Sequence, residues 1–242
     1  MDKLIYTAMS GAERTLHAQQ VHANNLANLD TPGFQADLEL ATSQGVSGYG
    51  YDDRHMVSLR ANALSSRAGT VRETGRDLDV ALQGPGYFAV QSGDGEAYAR
   101  GGAFNVDAEG ALTLNGRAVL GDGGPIVLPA YTRVEIGKDG TVSIQPPGQE
   151  QLQPVDRLRL VRPTTAGDVA KNEAGLIVAR DGQPLPRDES VTVLSRHLEG
   201  SNVSAVEEMI ATMTLTRDFE MQMRLYKTAD SMADTGNRLI RA

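Results

Sequence analysis

Glycine and proline are spread unevenly along this chain, and that limits its fold more than any other feature. Of 26 glycines, Gly11 and Gly33 lie in residues 1–44 and Gly236 in residues 201–242, which leaves 23 in residues 45–200. Of the 10 prolines, Pro32 falls in the first zone and none in the last. Glycine and proline punctuate turns and short strands and are costly inside helices. The two ends can therefore be long helices, whereas the middle cannot.

In the first zone Ile5, Met9, Ala12, Leu16, Gln19, Ala23 and Leu26 follow a 4-3 spacing, the period of a helix with a narrow apolar seam. The pattern predicts a helix over residues 3–28, with Asn28 as a left-handed cap and Asp30-Thr31-Pro32-Gly33 as the turn that stops it. In the last zone Ser204 and Glu207 fit a capping box. Met209, Thr212, Thr216, Phe219, Met223, Tyr226, Asp230, Ala233, Asn237 and Ile240 then repeat in heptad fashion. Polar members such as Thr216 and Asp230 weaken this seam but can fix its register and its choice of partner.

Between these ends, short alternating runs are joined by turn signals. Tyr87 to Gln91, Glu96 to Arg100, Ala111 to Asn115 and Thr141 to Gln145 are examples, with Asn115-Gly116 a hairpin signal. Roughly ten strands are expected, in a sandwich or barrel-like domain. The reading is thus an α+β chain with an N-terminal assembly helix in 1–34, an irregular arm in 35–70, a mainly-β domain in 71–198 and a C-terminal assembly helix in 199–242.

The helical seams pose an energetic problem. Burying a Met, Leu or Ile contributes roughly 1.5–3 kcal/mol, whereas ordering each residue costs on the order of 1–2 kcal/mol in backbone entropy alone. A lone solvated helix loses that comparison. The terminal helices must therefore bury their seams against each other, the β domain or other subunits, and should gain much of their order on assembly.

Composition removes several function classes. The absence of cysteine excludes a disulfide framework, thiolate-ligated metal and thiol catalysis. A net charge of −8 and 5% aromatic residues argue against a nucleic-acid surface. No apolar run is long enough for a transmembrane helix, and residues 1–20 lack the apolar core of a cleaved secretory signal. His17 and His22 stand five apart, off the i, i+4 spacing of a helical metal site. Gly84-Pro85-Gly86 and Gly121-Asp122-Gly123-Gly124 match no phosphate-binding pattern. Asp77, Asp79, Asp94 and Asp107 fit neither an EF-hand nor a convergent catalytic pair, so hairpin ends are the better reading. Asn202-Val203-Ser204 matches a glycosylation sequon but reads better as helix-entry chemistry. No enzyme, cofactor or metal site is expected.

Three blocks carry a family resemblance. Ala23-Asn24-Asn25-Leu26-Ala27-Asn28 with Thr31 and Gly33-Phe34 resembles the N-terminal signature of bacterial flagellar axial proteins, the rod, hook and hook-associated subunits. Leu78-Asp79-Val80-Ala81-Leu82 and Gly84-Pro85-Gly86-Tyr87-Phe88 look like the opening of the β domain shared by rod and hook proteins. Leu198-Glu199-Gly200-Ser201-Asn202-Val203, continuing to Phe219-Glu220-Met221-Gln222-Met223, resembles the C-terminal helix of the same family. Length and detail are most similar to the proximal members of the basal-body rod protein family, with a distal rod or hook-type subunit as the alternative.

The resemblance implies a structural subunit that is exported unfolded through the flagellar export apparatus without a cleaved signal. It would pack its terminal helices in a coiled-coil-like layer of an open helical array with copies of itself and other rod proteins, forming a periplasmic drive shaft from motor to hook. The expected assembly interface comprises Ile5, Met9, Leu16, Asn24, Asn25, Leu26, Asn28, Met209, Met213, Phe219, Met223, Tyr226 and Ile240. Asn24, Asn25 and Asn28 would act through amide hydrogen bonds that terminate the helix and fix register between subunits. A rival reading from another class, a peptidoglycan-cleaving hydrolase, finds no carboxylate pair or nucleophile–base set in the sequence.

Overall fold

The computed structural model describes the backbone of residues 2–45, 55–93, 95–172 and 174–241, and their side chains outside 2–8, 40–41, 55–62, 166 and 240–241. Ile5 and Ile240 of the expected interface, and the turn residue Asp94, therefore lie outside the described side chains. The chain divides into two compact units: residues 1–27, 37–62 and 204–242 form one, and residues 28–36 and 63–203 the other. It is α+β, with most of its strands in the central unit.

The terminal unit contains helix α1 (Asp2–Ala27), helix α2 (Ala205–Arg241), strand Asp37–Gly45 and, up to residue 62, its partner strand His55–Leu64. Ser204 Oγ accepts the Glu207 N–H at 3.4 Å, which supplies the expected N-cap of α2. Two expectations are corrected here. Asn28 is not left-handed, since among the described non-glycine residues only Asn115 and Arg196 have positive φ. Its carbonyl instead accepts the Thr31 N–H at 3.2 Å, and Gly33 takes the positive φ, +67°. The arm expected to be irregular over 35–70 contains two long strands. Apolar and polar residues alternate over Asp37-Leu38-Glu39-Leu40 and Val57-Ser58-Leu59-Arg60-Ala61-Asn62, the two-residue period of a strand.

The central unit is built from short antiparallel strands. Its largest sheet orders Leu160–Val161, Tyr87–Ser92, Gly95–Ala99, Ile177–Ala179 and Val169–Lys171. Phe88 and Val90 of the second strand point into one apolar cluster with Phe104, Leu112, Ile126 and Leu158, while Tyr87 and Ala89 point into another with Tyr98, Val161 and Ile177. This alternation places a core on each face of the sheet, which is why Tyr87-Phe88-Ala89-Val90 is an unbroken buried run. Phe88 and Phe104 meet edge-on at 5.1 Å between ring centres. The hairpin signal at Asn115-Gly116 is realised with φ of 50° and 77°, and Leu114 stands opposite Arg117.

The segments that open and close this unit are tied together. Strand His197–Glu199 pairs with Val71–Glu73, and the Glu199 carbonyl accepts the Gly33 N–H at 2.8 Å. A Cβ on Gly33 would lie 2.1 Å from the Gly101 nitrogen, so only glycine fits this close approach. Asn202 joins three strands of chain at once. Its Oδ1 accepts the Ala36 N–H at 2.7 Å, and its Nδ2 donates to the carbonyls of Ser65 at 3.2 Å and Arg67 at 2.8 Å. The sequon residue is thus a structural fastener at the approach to α2.

Candidate assembly interface

Within the terminal unit α1 packs on α2, and although Met9, Ala12 and Gln19 of the set that the 4-3 spacing selects reach α2, the buried part of the contact does not follow that set. The contacting seam of α1 is shifted by one residue to Gly11, Thr15, Ala18, His22 and Asn25, small or hydrogen-bonding side chains at the same spacing. Thr15, Ala18 and Asn25 are buried. A Cβ on Gly11 would sit 3.2 Å from the Gln222 side chain, so α2 approaches closely there. Gln222 Nε2 donates to Thr15 Oγ1 at 3.3 Å, and Gln19 Nε2 donates to Thr216 Oγ1 at 3.3 Å.

The seam ends in a polar cluster. His22 Nδ1 contacts Glu208 Oε2, and Asn25 Nδ2 donates to Glu208 Oε1 at 3.3 Å. Asn25 also exchanges two bonds with the backbone of Asp37, accepting its N–H at 2.9 Å and donating to its carbonyl at 3.1 Å. That reciprocal pair locks the first residue of strand Asp37–Gly45 onto the last turns of α1. Asn25 is 1% exposed, and all of these bonds are made within the chain.

Because the seam is polar, the apolar side chains are left outside it. Met9 is 62% exposed, Leu16 46%, Ile210 60% and Met213 59%, and Met209, Met221, Leu225 and Met232 are also exposed. Of the expected interface residues, the structure gathers Met9, Met223 and Tyr226, which with Ala12 and Gln222 line a shallow apolar cavity of about 200 Å³. Leu26, Asn28 and Phe219 are half-buried, and Asn24 is exposed. Thr15, His22, Glu208 and Gln222 had no place in the interface expected from the sequence. Their signal was present as 4-3-4-3 spacing from Gly11 to Asn25, but polar seams do not stand out in an apolar pattern.

Among the described residues no helix is long and apolar enough to cross a membrane, and no group of three or more histidine, aspartate or glutamate side chains could hold a metal.

Comparison with known proteins agrees with this arrangement in three places. Residues 5–35 match the family described as flagella basal body rod protein, residues 81–144 the flagellar hook protein FlgE/F/G D1 domain, and residues 194–239 the flagellar basal body rod FlgEFG protein C-terminal family. The flagellar basal-body rod protein FlgF of Escherichia coli (strain K12) is 40% identical over 249 residues, covering 99% of each chain. FlgF of Caulobacter vibrioides is 33% identical over 100% of this chain and 96% of its own, and the rod protein FlgG of Bacillus subtilis is 30% identical over 96% and 97%. With the rod-protein regions at both ends and the FlgE/F/G domain between them, and with full-length similarity strongest to FlgF among these three, the chain belongs to the flagellar basal-body rod protein family as a FlgF-like member.

Proposed function

We propose that the chain is a self-assembling subunit of the proximal rod, where α1 and α2 form an inner, coiled-coil-like layer with copies of themselves and with other rod proteins. The observation that carries this reading is the apolar surface left outside the α1–α2 seam, from Met9 and Leu16 on one helix to Met209, Ile210 and Met213 on the other. So many large apolar side chains left exposed on two helices are the composition of an interaction site. Head-to-tail contacts that do not close would generate an open helical array, and such an array would transmit torque from motor to hook across the periplasm. Export through the flagellar apparatus without a cleaved signal, and a purely mechanical role without catalysis, belong to the same proposal.

The test is substitution on the exposed faces. Leu16→Glu and Met213→Glu should leave the thermal melt of the central unit unchanged while abolishing incorporation into isolated basal bodies and swimming. Normal incorporation of both variants would sink the proposal. A peptidoglycan-hydrolysis assay on the purified chain should read background.

A further inference from the structure

A cavity of about 430 Å³ opens in the central unit beside the Gly84-Pro85-Gly86 loop, and its lining includes Gln35, Arg67, Arg100 and Arg162. Its described lining contains no carboxylate. Arg100 has a side chain only 4% exposed. It spends Nε on Glu199 Oε2 at 2.7 Å and Nη1 on the carbonyls of Gly84 at 2.7 Å and Gly86 at 2.9 Å. Its Nη2 has no partner among the described residues, although a guanidinium carries five donor hydrogens. Gln35, 7% exposed, accepts the Tyr87 hydroxyl at 2.9 Å through Oε1, and its Nε2 likewise has no described partner.

Two buried side chains therefore present donors to one cavity, and two further arginines line it. Arg162 reaches Asp188 only at 4.0 Å, so its charge is weakly compensated. A set made of donors and positive charge selects an anionic acceptor, and the planar fork of arginine matches a carboxylate. The chain itself has 31 acidic against 23 basic side chains, so a basic cavity is out of keeping with the rest of its surface and complementary to that of another copy.

We propose that this cavity receives a carboxylate side chain from a neighbouring copy of the chain, held by Arg100 Nη2 and Gln35 Nε2 and clamped by Arg67 and Arg162. The inference rests on the reading of the chain as an assembling subunit and assigns that assembly a second, polar contact apart from the helical faces.

The test uses the isotope-labelled full chain, titrated with the peptide acetyl-Gly-Glu-Glu-Gly-amide and followed through the amides of Gly84 and Gly86 and the Arg100 Nε–H. Saturable shifts are expected, together with at least ten-fold weaker binding to the Arg67→Gln/Arg162→Gln variant and none with the corresponding glutamine peptide. The same variant should fail to incorporate into basal bodies. Met213→Glu should keep full peptide binding while losing incorporation, which separates this contact from the helical one. Absence of saturable shifts, equal binding of the glutamine peptide, or tighter binding of inorganic phosphate than of the glutamate peptide would each overturn the carboxylate site. Loss of peptide binding with normal incorporation would overturn the neighbouring copy as its source.

Discussion

Arg100 and Glu199 meet at 2.7 Å with side chains 4% and 3% exposed, a buried ion pair that joins residues 99 positions apart. The remaining oxygen of Glu199 accepts the Gly69 N–H at 2.9 Å, while Arg100 holds the carbonyls of Gly84 and Gly86. The pair thus gathers the start, the middle and the end of the central unit at one point. Removing one partner leaves a buried charge uncompensated, which costs about 3–5 kcal/mol. Glu199→Ala should lower the stability of the central unit by that order in chemical denaturation. The double change Arg100→Met/Glu199→Leu should recover much of the loss.

Asn25 and Asn24 are neighbours in sequence with different burdens. Asn25 is buried and bonded to Asp37 and Glu208, whereas Asn24 is exposed. Leaving buried polar groups unsatisfied costs about 1–3 kcal/mol. Asn25→Leu should destabilise the terminal unit by that order and speed amide exchange of Asp37, with Asn24→Ala changing both several-fold less.

Gly33 combines a positive φ of +67° with a backbone neighbour where a Cβ would stand. Gly33→Ala should lower the melting temperature of the central unit. The left-handed conformation alone costs an alanine about 1–2 kcal/mol, and the clash with Gly101 adds to it. A melt identical to that of the unchanged chain would contradict the geometry.

Three surface aspartates tie acid stability to local turns. Hydrogen bonds from the Thr141 hydroxyl and N–H hold Asp139 below its ordinary 3.8, those from Thr165 do the same for Asp168, and those from Ser190 for Asp188. With the folded value below the unfolded one, each contributes stability that is present above pH 3.8 and is lost as pH falls through the depressed value. Carboxyl titration by NMR should show Thr165→Val raising Asp168 toward 3.8 while Asp139 stays put.

The helical pair should be the softer part of the molecule. Its seam is made of hydroxyls, amides and small residues, and each such bond contributes only about 0.5–1.5 kcal/mol net. Amide exchange on the lone chain should show residues 2–27 and 205–241 far less protected than strand Tyr87–Ser92. Equal protection in the two places would contradict this.

The sequence made the large divisions legible because glycine and proline act locally. The helical ends, the strands at Tyr87–Ser92 and Thr141–Gln145, and the Asn115-Gly116 turn all follow from nearest-neighbour chemistry. The face by which α1 meets α2 did not, since apolar spacing pointed to Met9, Leu16 and Leu26 while the contact runs through Thr15, His22 and Asn25. Non-local ties were also hidden. Nothing near Arg100 announces Glu199, and nothing near Asn202 announces Ala36, Ser65 and Arg67. The ladder between Asp37–Gly45 and His55–Leu64 was legible only in part, as short alternating stretches over 37–40 and 57–62, while the pairing of the two strands is itself a non-local tie.

The methionine- and leucine-rich flanks of the two helices have a thermal consequence. Contacts between such greasy surfaces owe their strength to water release, which fades on cooling and grows in strongly hydrated salts such as sulfate. A joint built from them should loosen in an ice bath and tighten in warm, sulfate-rich buffer, while dilution in sodium chloride alone leaves it little changed.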